Sequence, residues 1–242
     1  VSSEHRGLFL VFEGIEGAGK STQLRQVAAG LERAGVPHLA VREPGATPVG
    51  ERIRDVVLDP GLDPLPETEL LLMLSARAEF VRRVVLPALE RGEIVLADRY
   101  ELSTFAYQGE ARGLGLERVR ALNRFATGGL RPDGTLLFLL EPELARRRVD
   151  AGRADRMERA GEAFHAAVDR AYRRLAEEEP NVIEVSADGP PDSVASRVWS
   201  LLEERWPERF PPSGRSAAET FEFGTGLRAE PEPDMSDQAE DA

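Results

Sequence analysis

The sequence predicts an α/β fold, a five-stranded parallel sheet with helices on both faces, and three observations carry the prediction. Five short runs, Leu8–Phe12, Leu39–Val41, Ile94–Ala97, Thr135–Leu140 and Val182–Val185, are apolar almost without interruption. Such runs suit strands covered on both faces rather than on one. Between them lie stretches whose apolar residues recur every three or four positions, as in helices laid on a sheet. The first run also ends in a glycine-rich turn that opens directly into the first of these helical patterns.

Taken in order, Leu8–Phe12 is the first strand, and Leu24, Val27, Ala28 and Leu31 mark a helix that Gly35 closes. Leu39–Val41 leads into the loop Arg42-Glu43-Pro44-Gly45-Ala46-Thr47-Pro48, and a helix from Val49 to Leu58 follows. A long helix is expected from Glu67 to Arg91, with Leu71, Leu74, Ala78, Val81, Val85 and Ala88 on its core stripe and Pro87 kinking its last turn. A different face carries Met73, Arg77 and Phe80. Ile94–Ala97 is a strand ending in Asp98-Arg99-Tyr100, Leu116 to Ala126 reads as a helix, and Thr135–Leu140 is the fourth strand. A basic segment precedes a helix with Phe164, Val168, Tyr172 and Leu175, and the last strand and helix carry Val182–Val185 and Val194, Val198, Leu201 and Leu202. Ligands of such sheets gather at the carboxyl ends of the strands, where the polar clusters of this sequence fall.

The turn after the first strand is Gly14-Ile15-Glu16-Gly17-Ala18-Gly19-Lys20-Ser21. A glycine, four residues and then Gly-Lys-Ser is the spacing of a P-loop, so the fold expected is that of P-loop NTPases. Glycines let the backbone turn its N–H groups toward an anion, and the helix that follows adds its positive end. Lys20 would reach the outer phosphates and the Ser21 hydroxyl would ligate Mg²⁺. Glu16 does not fit this cradle, because a carboxylate repels phosphate; it should turn toward a sugar hydroxyl or the magnesium shell of a second substrate.

Other charged residues sit where phosphates would be handled. Asp98 ends a strand beside the one feeding the P-loop and could hold a Mg²⁺-bound water, with Arg99 placed to grip a phosphate through two nitrogens. Arg42 could hold a phosphate too, although alone it reads as an exposed loop cation. Arg146, Arg147, Arg148, Arg153, Arg156 and Arg159 crowd one short segment with Gly152 between them. Transfer between two anionic nucleotides needs cations that close over the reacting group and exclude water, and an arginine-rich lid meets that need. Arg153 and Arg156 are its catalytic candidates.

Composition bounds the rest. The 242 residues are 41% hydrophobic and 31% charged, as in an ordinary globular protein, with no apolar stretch long enough to span a bilayer. A net charge of −12 argues against broad nucleic-acid binding. Zero cysteines and an N-terminal segment without a signal-peptide pattern give a cytoplasmic expectation. Residues 207–242 hold nine acidic and three basic residues and lose all periodicity, so residues 1–206 are expected as the domain and 207–242 as an acidic, disordered tail.

Together these pieces resemble bacterial thymidylate kinases of the nucleoside monophosphate kinase family. The resemblance runs from Leu8 to Leu202 and rests on FEGIEGAGKST, REPG, the helix arginine Arg77, DRYELSTFAYQG, Arg131-Pro132-Asp133 and the lid pair Asp155-Arg156. It implies transfer of the ATP γ-phosphoryl to dTMP with Mg²⁺, for dTTP synthesis, and a homodimer through helices. ATP would be held by Gly14, Ile15, Glu16, Gly17, Ala18, Gly19, Lys20, Ser21 and Thr22, and the metal by Ser21 and Asp98. Arg42, Arg77 and Arg99 would bind the acceptor, Thr104 would face the thymine edge, and Tyr107, with Gln108 beside it, would crowd the 2′ position. Lys20, Arg99, Arg153 and Arg156 would be catalytic. Met73 departs from the pattern, standing where relatives stack an aromatic ring on the base; a thioether packs there without stacking. A kinase for another nucleotide or deoxynucleoside, and a nucleotide-dependent switch, are the alternatives.

Overall fold

A computed structural model describes residues 6–148, 155–157 and 159–212. Its sheet contains β1 (Leu8–Gly14), β2 (His38–Arg42), β3 (Ile94–Asp98), β4 (Gly134–Leu139) and β5 (Val182–Ser186) in the order β2-β3-β1-β4-β5. All four pairings are parallel. The period of two along β1 divides its buried residues between two cores. Leu8, Leu10 and Phe12 pack with Leu24, Val27 and Leu31 of α1 (Lys20–Arg33) and with Val194, Val198 and Leu202 of α9 (Pro191–Arg205). Phe9 and Val11 face the opposite layer, with Phe80, Val85 and Tyr100. Helices therefore cover both faces, as expected, and burial on both sides is why the strands read as unbroken apolar runs.

Register decides what reaches the carboxyl edge. Phe12 of β1 and Arg42 of β2 both pair with Asp98, the last residue of β3. The edge that launches the glycine-rich turn thus also holds Arg42, Asp98 and Arg99. Asp133 secures the other end of β1: its carboxylate accepts from the Phe9 N–H at 2.7 Å, and its own N–H donates to Phe9 O at 2.8 Å.

The long helix departs from expectation. It consists of α3 (Pro66–Phe80), a π-helical stretch Val81–Val85 and α4 (Leu86–Glu90). The Leu86 N–H reaches back five residues to Val81 O. Pro87 explains this, since it has no N–H and its ring would crowd the carbonyl four residues earlier; one wide turn relieves both problems. Of the expected core stripe, Leu74, Val81, Val85 and Ala88 are buried, but its first member gives way to a neighbour. Leu71 is 56% exposed, whereas Leu70, Leu74, Arg77 and Val81 are buried, and Phe80 belongs to the core. Leu70 and Leu74 are buried because a second layer packs on them, formed by α6 (Leu116–Thr127) and α8 (Glu162–Glu178).

Sequence periodicity did not reveal the short α5 (Glu101–Thr104) that runs into a second π-helical stretch, Phe105–Ala111. The remaining helices are α2 (Pro48–Leu58) and α7 (Pro142–Arg148), the latter formed by the start of the basic segment. Packing continues past residue 206: Phe210 is wholly buried against Trp199, and the Trp199 Nε1–H donates to Pro211 O at 3.3 Å. Residues 213–242, most of the expected tail, and the lid candidate Arg153 lie outside the described residues.

Candidate active site

The glycine-rich turn wraps as its spacing predicts, because its glycines take conformations that side chains would block. Gly17 has φ 78°, and a Cβ there would stand 2.2 Å from Ala145 O. The turn delivers Lys20 to the first turn of α1, where Nζ donates to Ile15 O at 2.9 Å and lies 3.9 Å from Glu16. Burial, joined by the charge of Arg99, lowers the Lys20 ammonium to about 8. The next residue, Ser21, donates its hydroxyl to Asp98 Oδ2 in a short hydrogen bond. A hydroxyl and a carboxylate brought together beside a phosphate cradle are the hard oxygen donors that Mg²⁺ takes, so the donor set fits that ion.

Arg99 joins the two halves of the site. Its backbone has φ 75°, a left-handed conformation that costs a non-glycine residue about 1–3 kcal/mol. Four partners hold the side chain: Nη1 donates to Gly14 O at 3.2 Å, Ser103 Oγ at 3.0 Å and Tyr172 Oη at 3.3 Å, and Nη2 donates to Glu16 at 3.0 Å. Burial would discharge the guanidinium, but Tyr107, Tyr172, Glu16 and Glu13 around it hold its pKa well above the usual range. Glu16, the residue without a task in the phosphate cradle, is thus paired with Arg99; the Lys20 charge foremost, with Arg99, draws its carboxyl down to about 2.

Behind Arg99 stands a carboxylate that the motifs did not single out. Glu13, wholly buried at the end of β1, accepts from the Tyr100 and Ser103 N–H groups at 2.8 and 3.0 Å. It also accepts from Ser103 Oγ at 2.6 Å and Tyr172 Oη at 3.0 Å. Since Ser103 and Tyr172 are two of the Arg99 partners, Glu13 orients the groups that orient the arginine. The signal was available, because an acid directly following a buried apolar run must be paired.

A cleft of about 700 Å³ opens in front of Arg99, lined among others by Glu16, Lys20, Ser21, Arg42, Met73, Asp98, Tyr107 and Gln108. Most of the expected acceptor residues therefore meet at one cavity. Arg42 is there but pairs with Glu51 at 3.0 Å. Tyr107 lies under Arg99, whose guanidinium carbon is 5.5 Å from the ring centre. Arg77 and Thr104 do not line the cleft. Arg77 is 1% exposed, with its donors on both oxygens of Glu43, on Asn123 Oδ1 and on Tyr100 O, all at 2.8–2.9 Å. Thr104 is wholly buried, and its hydroxyl lacks a partner among the described residues.

A second cavity of about 370 Å³ lies on the other side of the turn, lined by Gly17, Ala18, Gly19, Thr22, Arg148, Ala187, Gly189 and Pro191. Glu16, Lys20 and Ser21 line both cavities. A lysine and a hydroxyl shared between two pockets suit two ligands meeting end to end at an anionic group.

Residues 12–198 match the profile of the family described as thymidylate kinase. The chain belongs to the thymidylate kinase family. It is similar to the thymidylate kinase of Deinococcus radiodurans, 45% identical over 202 residues that cover 83% of this chain and 98% of the relative. For the thymidylate kinase of Pseudomonas fluorescens the identity is 48%, covering 81% and 95%. For that of Symbiobacterium thermophilum it is 42%, covering 86% and 98%.

In this thymidylate kinase the tertiary structure adds cleft residues that no motif announced. Arg54 of α2 lines the cleft and donates to Pro44 O at 3.1 Å; burial, then Arg42, lowers its pKa. On the second cavity, Ala187, Gly189 and Pro191 come from the turn after β5, beside Arg148 at the end of α7. Such residues are distant in sequence and carry no spacing that would group them. The lid residue Arg156 packs against the cleft wall, with Nε donating to Val57 O at 2.8 Å and Nη2 to Glu69 at 2.6 Å. Among the described residues no helix is long and apolar enough to cross a membrane.

Proposed function

We propose that this thymidylate kinase moves the γ-phosphoryl group of ATP, bound in the smaller cavity, directly onto the 5′-phosphate of dTMP in the larger cleft, giving dTDP. The observation that carries the reading is the sharing of Glu16, Lys20 and Ser21 between the two cavities. The nucleophile is an acceptor phosphate already ionised at neutral pH, so no strong general base is needed. The residues instead position two anions and offset their repulsion.

Lys20 holds the outer phosphates of ATP and Arg99 the phosphate of dTMP. Their approach brings the two reacting groups together, and Glu16 spaces the two cations. Ser21 and Asp98 would hold Mg²⁺, which when bound neutralises charge on the triphosphate. Arg153 of the lid segment supplies further positive charge at the transferred group, joined by Arg156 once the lid closes and frees it from Glu69. Met73, Tyr107 and Gln108 form the base and sugar side, with Arg77 and Thr104 behind it; Met73 packs on the base by dispersion rather than by ring stacking. Cytoplasmic dTTP synthesis is the setting. A homodimer would use the face where Leu71 of α3 and Phe125 of α6 are exposed.

An acceptor screen tests the reading. With Mg-ATP as donor, dTMP is expected to be phosphorylated in preference to dUMP, dCMP, dGMP and thymidine. Preference for thymidine, or ATP turnover indifferent to every acceptor, would reject it.

A further inference from the structure

One buried carboxylate belongs to neither cavity yet touches the machinery of both the acceptor side and the lid. Glu69, in the first turn of α3, is 0% exposed. Its Oε1 accepts from Gln108 Nε2 at 2.7 Å and from Arg112 Nε at 3.3 Å. Its Oε2 accepts from Arg112 Nη2 at 3.1 Å and from Arg156 Nη2 at 2.6 Å. Burial alone would raise its pKa, but the hydrogen bonds from Gln108, Arg156 and Arg112 bring it below the usual carboxylate value. The group is an anion, and an anionic carboxylate can only accept.

This settles which way the Gln108 amide points. The end facing Glu69 must be the NH₂, so the carbonyl Oε1 faces away. Gln108 lines the acceptor cleft, and its Oε1 is buried without a hydrogen-bond partner among the described residues. A buried acceptor left unmatched is rare unless a ligand uses it. Thymine presents N3–H, a donor, on its pairing edge; cytosine presents at the same position a bare nitrogen that can only accept. A carbonyl buried at the cleft wall, on meeting the base, attracts the first and repels the second. A neutral group in place of Glu69 would let the amide turn over and remove the distinction.

We propose that Glu69 is a positioning residue for base selection, fixing the Gln108 carbonyl toward the acceptor while the same carboxylate anchors the lid through Arg156. Acceptor recognition and lid placement then share one group. The inference rests on the dTMP reading above.

The test measures kcat and KM for dTMP and dCMP, with Mg-ATP, in the unsubstituted enzyme and in Glu69→Gln and Glu69→Asp, each checked for folding by thermal melting. In Glu69→Gln the preference for dTMP over dCMP in kcat/KM is expected to fall by about tenfold or more, with the KM for dTMP rising and, as the lid tie is lost, kcat falling. Glu69→Asp keeps the charge but is one methylene short, so it should fall between the two. A merely structural residue would lower the folded fraction and leave the preference intact. An unchanged preference in Glu69→Gln, whatever the loss in rate, overturns the inference; should that variant not fold, an unchanged preference in Glu69→Asp does so. An unsubstituted enzyme with no preference for dTMP overturns the functional reading itself, and this inference with it.

Discussion

At the scale of single residues, the site works by holding like charges close together. Lys20 and Arg99 both line one cleft, and Glu16 lies between them, 3.9 Å from one and 3.0 Å from the other. The price is visible in Lys20, whose ammonium is lowered to about 8 by burial and by Arg99. A pH dependence follows. Below about 8 the lysine carries its charge in the free enzyme; above it the charge is lost, and with it part of the hold on ATP. In the ATP complex the triphosphate raises the lysine pKa again. Thus kcat/KM for ATP is expected to decline as pH rises from 7 to 9.5, with kcat changing much less, because the first reports free enzyme and the second the complex. Steady-state kinetics over that range at constant ionic strength would check it; a flat kcat/KM would show that Lys20 does not titrate there.

At the scale of elements, Arg77 shows how a motif residue can serve the frame. It leaves α3 next to the π-helical turn and forms a two-pronged pair with Glu43, binding also Asn123 of α6 and the backbone at Tyr100. Three separate segments converge on one guanidinium, including the loop that carries Arg42 and Pro44 into the cleft. Replacing Arg77 by Met would leave the Glu43 carboxylate buried without its partner, a loss of about 3–5 kcal/mol. The expected observation is a marked fall in the denaturant midpoint, recovered in part when Glu43 is also made apolar. A midpoint unchanged by Arg77→Met would mean that the pair contributes nothing to the frame.

At the scale of the whole molecule, the parallel sheet sets a platform and the chain beyond α9 closes it. Phe210 is buried in the layer shared by α1 and α9, edge-on to Trp199 at 5.6 Å between ring centres. Phe210→Ala is therefore expected to destabilise the protein by about 3–5 kcal/mol, as truncation of a buried aromatic does. Thermal melting would check this. Stability equal to that of the unsubstituted protein would return the end of the packed chain to residue 206.

The sequence by itself determined the sheet, the phosphate turn and the family. Apolar runs buried on both faces, the glycine spacing from Gly14 to Ser21 and the motifs REPG and DRYELSTFAYQG are local patterns, and local patterns are what a linear text preserves. Tertiary structure alone decided the partners. The helix through Gln108 was unreadable because burial on several sides erases the one-sided period that marks a helix, and Pro87 put a wide turn between α3 and α4. Glu13 and Glu69 could be recognised in the sequence only as acids among apolar neighbours. Which cations and hydroxyls they satisfy depends on chain segments 39 to 159 residues away, brought together by packing. Spacing located the phosphates, and the fold chose the charges that surround them.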